Sequence, residues 1–270
     1  MFVVLSRREV EDRGLAKITQ RLRTPAVTRK RESFLGNWYC RMEVTGKSIP
    51  WERVALLSGR AGGRLVLPPE LEVPEGYGLG RFRPTILEGR LCALTAVQIA
   101  PSGPEGAGAV AGLIDEDGVW SWCCRQLAQH FSAVRVWTRR RERYAEFAER
   151  LSGELGAPVS LAESPYDLSA CSVTVSPGSF GVIKLGCPVI TATQSGIQGS
   201  PTVNRMRLEL PGELEEQIPE GIEPLDFIGA VYELGVRRFP LQFPIRDFRA
   251  DGRLCEARPG AIRRPYAGCK

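Results

Sequence analysis

The sequence carries a single histidine, His130, among its 270 residues. It has eight cysteines, but no two of them stand in a Cys-x-x-Cys spacing. A zinc site is therefore not expected, because neither the imidazole set nor the thiol spacing that holds zinc is available. No Gly-x-Ser-x-Gly occurs, which removes the strand-to-helix elbow that exposes a nucleophilic serine. No apolar run approaches the roughly 18 residues a membrane-crossing helix needs. The start, Phe2-Val3-Val4-Leu5 ahead of Arg7-Arg8, has the wrong order and length for a secretory signal, so a cytoplasmic location is expected.

A chain of this length does not depend on disulfides. Cys92, Cys171 and Cys187 fall in apolar contexts and read as small buried hydrophobes, so reduced thiols are expected. The hydrophobic share of 43%, with 25% charged residues, is that of an ordinary globular protein. The net charge of +5 is unevenly placed. Residues 1–31 hold nine Lys/Arg against three acids, and residues 246–270 hold seven against three. No aromatic interleaving or recognition motif accompanies these basic ends. They read as solvated faces or contacts to another subunit, and nucleic acid is not the expected partner.

What the chain does have is a regular alternation over residues 109–193. Apolar runs at 109–114, 133–137, 158–161, 171–176 and 188–192 are separated by helical patterns, notably at 119–131 and 141–155. Short apolar strands alternating with helices build a parallel sheet covered on its faces. The first 100 residues give a smaller set: strands near 2–5, 40–44 and 64–67, and helices at 50–59, where Ser48 is a candidate cap, and 86–100. Residues 6–30 show no helix. Residues 101–108 are the clearest linker. After 194, a strand is expected at 205–210 and a helix at 223–234 with Gly235 beyond it, followed by a proline- and aromatic-rich stretch at 239–248 that wraps over the first domain.

The expected fold is therefore two-domain α/β. A small N-terminal α/β domain (1–104) precedes a Rossmann-like parallel sheet with helices on both faces (105–200). A strand and helix extension (201–270) packs back on the N-terminal domain. In such sheets, ligands bind beyond the carboxyl ends of the strands where strand order reverses. That rule selects residues 115–118, 138–140, 176–179 and 191–195.

These places decide the chemistry. A dinucleotide-binding domain carries a glycine-rich turn after its first strand, so that the backbone can approach the pyrophosphate. Here the turn is Asp115-Glu116-Asp117-Gly118. Three carboxylates facing that position would repel a diphosphate, whereas acids at a helix start also serve as ordinary caps. The second strand ends in Thr138-Arg139-Arg140, where an arginine suits the 2′-phosphate of NADP. Ser176 and Gly178 bracket a turn whose backbone amides can face a cofactor. Thr138, Arg139, Arg140, Ser176 and Gly178 are thus the candidate cofactor-binding residues. Trp120, Cys124, Leu127, Ala128 and Phe131 stand at helical spacing and read as core. His130 reads as a helix-terminal residue, not a general base.

The Asp115-Glu116-Asp117 spacing, with Thr138 ending the next strand, resembles the Asp-x-Asp motif of the haloacid-dehalogenase-like phosphatases. That resemblance implies a first carboxylate attacking phosphorus, a second acting as acid/base, and magnesium offsetting the charge. It spans two short pieces, and residues 172–176 lack the further acids such enzymes use. Weighed together, the acid cluster favours a non-catalytic or regulatory binding or scaffold protein, with any small ligand in the interdomain cleft and a homo-oligomer or protein partner. The alternatives are an NADP-dependent oxidoreductase with an atypical cofactor site and a metal-dependent phosphate-handling enzyme. The first turns on whether the acids point away from the ligand position.

Overall fold

The computed structural model describes residues 1–7, 26–46, 48–100, 108–178, 184–192, 201–236 and 243–259. In chain order its elements begin with β1 (Val3–Arg7), β2 (Ala26–Phe34), β3 (Asn37–Thr45), α1 (Trp51–Ser58), β4 (Leu65–Val66) and α2 (Thr85–Ile99). The middle of the chain forms β5 (Val110–Ile114), α3 (Ser121–Ala128), β6 (Ala133–Trp137), α4 (Arg141–Leu155), β7 (Val159–Leu161), β8 (Val173–Ser176) and β9 (Val189–Thr191). Then come β10 (Thr202–Leu208), α5 (Gly212–Glu215), α6 (Pro224–Leu234), β11 (Ile245–Ala250) and β12 (Arg253–Glu256). Contacts divide the chain into two compact units: Met1–Leu87 with Leu210–Gln242, and Glu88–Glu209 with Phe243–Lys270.

The first unit holds a sheet of order β2-β3-β1-β4. β1 lies parallel to β3 and β4, while β2 and β3 form an antiparallel hairpin. Its two-residue turn, Leu35-Gly36, has φ of 47° and 73°, the left-handed pair that matches the twist of the strands it joins. Val3, Leu5, Met42, Val44, Val54, Leu65 and Leu67 form the core of this unit, each at most 1% exposed. A second apolar cluster gathers around Phe227 of α6, whose ring meets Phe2, Phe34 and Tyr39 edge-on at centroid distances of 6.2, 5.1 and 5.3 Å. Glu233, near the end of α6, accepts a hydrogen bond from the Leu87 amide at 2.8 Å, which satisfies a free N–H in the first turn of α2. The position before α1 is occupied by Pro50 and no side chain caps it, so Ser48 does not take the role expected of it.

The second unit holds a sheet of order β12-β11-β10-β9-β8-β5-β6-β7. β5 to β10 are mutually parallel, and β11 and β12 add an antiparallel edge. Numbered from β5, the parallel strands run 3-2-1-4-5-6. That is the doubly wound, Rossmann-like order, and its reversal falls between β5 and β8. The expected fold class, two-domain α/β with such a sheet, is the one observed. The strands pack tightly at the reversal: a Cβ on Gly112 of β5 would lie 2.5 Å from Thr174 Oγ1 on β8. α4 has the expected bounds and ends at Gly156, which is left-handed at φ 69°.

Several expectations are corrected. Residues 26–30, the end of the stretch at 6–30 in which no element was placed, open β2. It is an edge strand with exposed residues on most positions, so it lacks the alternation that marks a half-buried strand. Of the stretch expected at 239–248, residues 239–242 lie outside the described residues, whereas residues 243–259 belong to the second unit. They form β11 and β12 of the second sheet, where Gln98 of α2 brackets Ile245 with hydrogen bonds of 2.8 and 2.9 Å and reaches the Ala257 carbonyl at 2.9 Å. Gly235 is the expected C-terminal cap of α6, in an extended conformation with its amide donating to the Val231 carbonyl. Cys40, Cys92, Cys123, Cys124, Cys171 and Cys187 are free and buried, whereas Cys255 is disulfide-bonded and departs from the all-reduced expectation. Residues 101–107 of the linker expected at 101–108 lie outside the described residues. Among the described residues no helix is long and apolar enough to cross a membrane.

Candidate functional site

The switch point brings together the turn after β5, the turn after β6 and the turn after β8. In the first of these the sequence places acids, and their direction matters more than their number. Asp115 is fully buried. Its Oδ1 accepts from the Val119 amide at 2.9 Å, and its Oδ2 accepts from the Trp120 amide at 2.7 Å and from the Tyr144 hydroxyl of α4. The Asp115 carbonyl also accepts from Gly118, whose φ of 70° makes the tight turn possible. Burial, with the Asp115 charge and hydrogen bond added, pushes the Tyr144 hydroxyl far above its ordinary range and keeps it a donor. One carboxylate thus closes the turn from inside and takes the two amides just ahead of α3.

Glu116 turns sideways, pairing with Arg139 Nη2 at 2.8 Å, while its carbonyl accepts from the Arg139 amide at 3.1 Å. Asp117 is exposed. The three acids therefore do not converge. Both oxygens of Asp115 are committed to protein donors, so it is not free to attack phosphorus as the phosphatase resemblance implies. Among the described residues no group of three His, Cys, Asp or Glu could hold a metal.

At the end of β6, Thr138 is buried and its Oγ1 accepts from the Arg140 amide at 3.0 Å, which shapes the bend into α4. The Arg139 side chain is 71% exposed despite its bridge to Glu116, and Arg140 stands exposed at the start of α4. Ser176 ends β8, buried and in register with Thr191 of β9. Gly178 follows it at the crevice. The structure therefore puts all five candidate residues at carboxyl ends of strands, with Arg139 and Arg140 outside and Thr138 and Ser176 turned inward. Residues 193–195 of the fourth candidate turn lie outside the described residues. His130 is exposed just past α3, where its amide donates to the Leu127 carbonyl.

Tyr144 is fully buried on the inward face of α4, where its hydroxyl also donates to Asp115. Trp120, read as helix-face core, precedes α3 and is half-buried. A Cβ at Gly89 of α2 would lie 2.2 Å from its ring, and one at Gly178 would lie 3.3 Å from Nε1. The indole thus leans from the β5 turn toward the β8 turn. The signal available in the sequence was Gly89, a helix-interior glycine that is costly unless a large neighbour needs its space. A separate cavity of about 260 Å³ opens beside the start of α3, lined by Ser121, Glu146, Phe147 and Arg150. It belongs to the helix layer, not to the strand ends.

No family model matches the chain. No curated protein matches it either. Solved structures are similar in part. The Δ1-pyrroline-2-carboxylate reductase of Thermococcus litoralis, in complex with NADH and L-proline, is 17% identical over 40% of this chain and 35% of its own, with a TM-score of 0.31. An archaeal alanine dehydrogenase dimer with bound NAD is 14% identical over 65% and 58%, at 0.31. The L-tryptophan dehydrogenase of Nostoc punctiforme is 13% identical over 71% and 60%, at 0.33. The chain thus spans less than two thirds of each of these proteins, and the likeness concerns fold alone. The expectation of a non-catalytic scaffold is nevertheless corrected. The inward turn of Asp115, whose two oxygens are held by protein donors, removes the ground on which that expectation stood.

Proposed function

We propose that the chain is an oxidoreductase that uses a nicotinamide dinucleotide, in its 2′-phosphorylated form NADP, at an atypical site. The observation that carries this reading is the pair of outward arginines, Arg139 and Arg140, at the carboxyl end of the second strand of a doubly wound sheet. A cation there meets the phosphate on the adenosine ribose. The residues fit that end of the cofactor. They fit the diphosphate differently from the glycine-rich pattern, because the amides of Val119 and Trp120 are already taken by Asp115. Arg139, Arg140 and the Ser176–Gly178 turn would hold the group, and the bound nicotinamide would supply hydride transfer.

The test is thermal unfolding with NADPH and with NADH at millimolar concentration. A ligand that binds the native state at a hundredfold excess over its dissociation constant stabilises it by roughly 2.7 kcal/mol. NADPH is expected to raise the midpoint more than NADH. Replacing Arg139 and Arg140 together by Ala is expected to remove that preference while leaving the smaller NADH shift. Absence of a shift with either nucleotide would reject the proposal.

A further inference from the structure

We infer that Trp120 provides the surface on which the nicotinamide ring stacks, an inference that rests on the cofactor reading above. Three features lead to it. First, Trp120 is held at the switch point by its backbone: its amide is fixed by Asp115 Oδ2 at 2.7 Å, and its carbonyl accepts from Cys123 as α3 begins. Second, two glycines reserve room for the indole, Gly89 under the ring and Gly178 beside Nε1, and an alanine at Gly89 would put a carbon 2.2 Å from a ring atom. Third, the indole is half-buried, with Trp122 edge-on at 5.7 Å, so the packing leaves part of the ring open.

Direction selects the nicotinamide end. The adenosine half of a dinucleotide lies on the side of the second strand, here β6 with Arg139 and Arg140. The opposite half then lies on the β8 side, toward which the indole leans. With the Val119 and Trp120 amides ahead of α3 occupied, a flat aromatic surface replaces part of the grip that a glycine-rich turn supplies elsewhere. Stacking of a planar heteroaromatic ring on an indole is strong enough for that role.

The experiment is fluorine NMR of the full chain labelled with 5-fluorotryptophan, the Trp120 resonance being the one absent from Trp120→Phe. Binding is followed in parallel by calorimetry. NADPH and nicotinamide mononucleotide are expected to move that resonance, and adenosine monophosphate to leave it in place. Trp120→Leu is expected to weaken NADPH about tenfold, with Trp120→Phe restoring most of the affinity. If NADPH binds and the resonance does not move, or if only adenosine monophosphate moves it, the inference is overturned while the cofactor reading stands. If calorimetry finds no binding of NADPH to the unaltered chain, the cofactor reading fails and the inference falls with it.

Discussion

Asp115 illustrates how little a residue type says until its direction is known. From sequence it was one of three acids at a strand end, equally able to repel a diphosphate or to cap a helix. The fold turns it inward, where two amides and a phenol hold both oxygens. Val119 and Trp120 are sequence neighbours, but the third partner, Tyr144, lies on α4, and nothing near Asp115 announces it. If the carboxylate is structural, Asp115→Ala should cost about 3 kcal/mol, since hydrogen bonds to a charged group contribute about 1.5–3 kcal/mol and buried donors are left unpaired. Tyr144→Phe, which keeps both amide bonds, should cost about half as much. Urea unfolding measures both, and a change within about 0.5 kcal/mol for Asp115→Ala would exclude the closing role. Glu233 offers a test of sign. Burial raises its carboxyl above the ordinary value of 4.5, offset in part by the amides of Leu87 and Ile86. A carboxyl raised in the folded state contributes stability that is present below its unfolded value and is lost as pH rises through the folded value. Against Glu233→Gln, the unaltered protein should therefore gain stability as pH falls from neutrality toward 4. A difference that stays constant over that range would show that the carboxyl is not raised.

At the scale of elements, the sequence was most readable where one periodicity ran uninterrupted. α4 and the parallel strands from β5 to β9 stand close to where apolar spacing placed them: β6 alternates, and β5, β8 and β9 are buried almost throughout, which the continuous apolar runs record. β2 was not readable, since an edge strand with polar residues on both sides carries no period of two. α2 was readable as a helix but not as a packing partner. Seven of its residues, Leu87, Leu91, Cys92, Ala93, Thr95, Ala96 and Ile99, are at most 1% exposed. A helix this buried needs small residues where neighbours press closest. Gly89→Ala tests which force dominates. Alanine in a helix interior gains about 1 kcal/mol over glycine, but overpacking against a rigid ring costs about 1–3 kcal/mol. The net effect should be a loss of about 1 kcal/mol in the unaltered protein. In a Trp120→Ala background the clash is gone and the same substitution should stabilise. A double-mutant cycle by urea unfolding reads this reversal directly, and equal effects in the two backgrounds would mean that the indole does not lie over Gly89.

The whole molecule is less legible than its parts for a physical reason. Glycine- and proline-rich stretches such as 101–108 mark candidate linkers in the sequence, but they do not say which unit the next element packs against. Burial decides that, and it assigns Leu210–Gln242 to the unit that begins at Met1. A fragment of residues 1–104 therefore contains all four strands of the first sheet and still lacks α6. Without it, Phe2, Phe34 and Tyr39 lose the Phe227 ring that meets all three, and the Leu87 amide loses Glu233. Fully burying one large aromatic stabilises by about 1.5–3 kcal/mol, and α6 buries Ile228, Ala230 and Val231 as well. Such a sum is comparable with the roughly 5–15 kcal/mol that holds an entire domain together, and small units have little in reserve. Residues 1–104 expressed alone should thus give the narrow amide dispersion of an unfolded chain. Co-expression with residues 210–242 should restore dispersed resonances, because the missing face is then supplied in trans. A folded 1–104 fragment, with dispersed resonances and a cooperative melt, would show instead that the first sheet closes its own core.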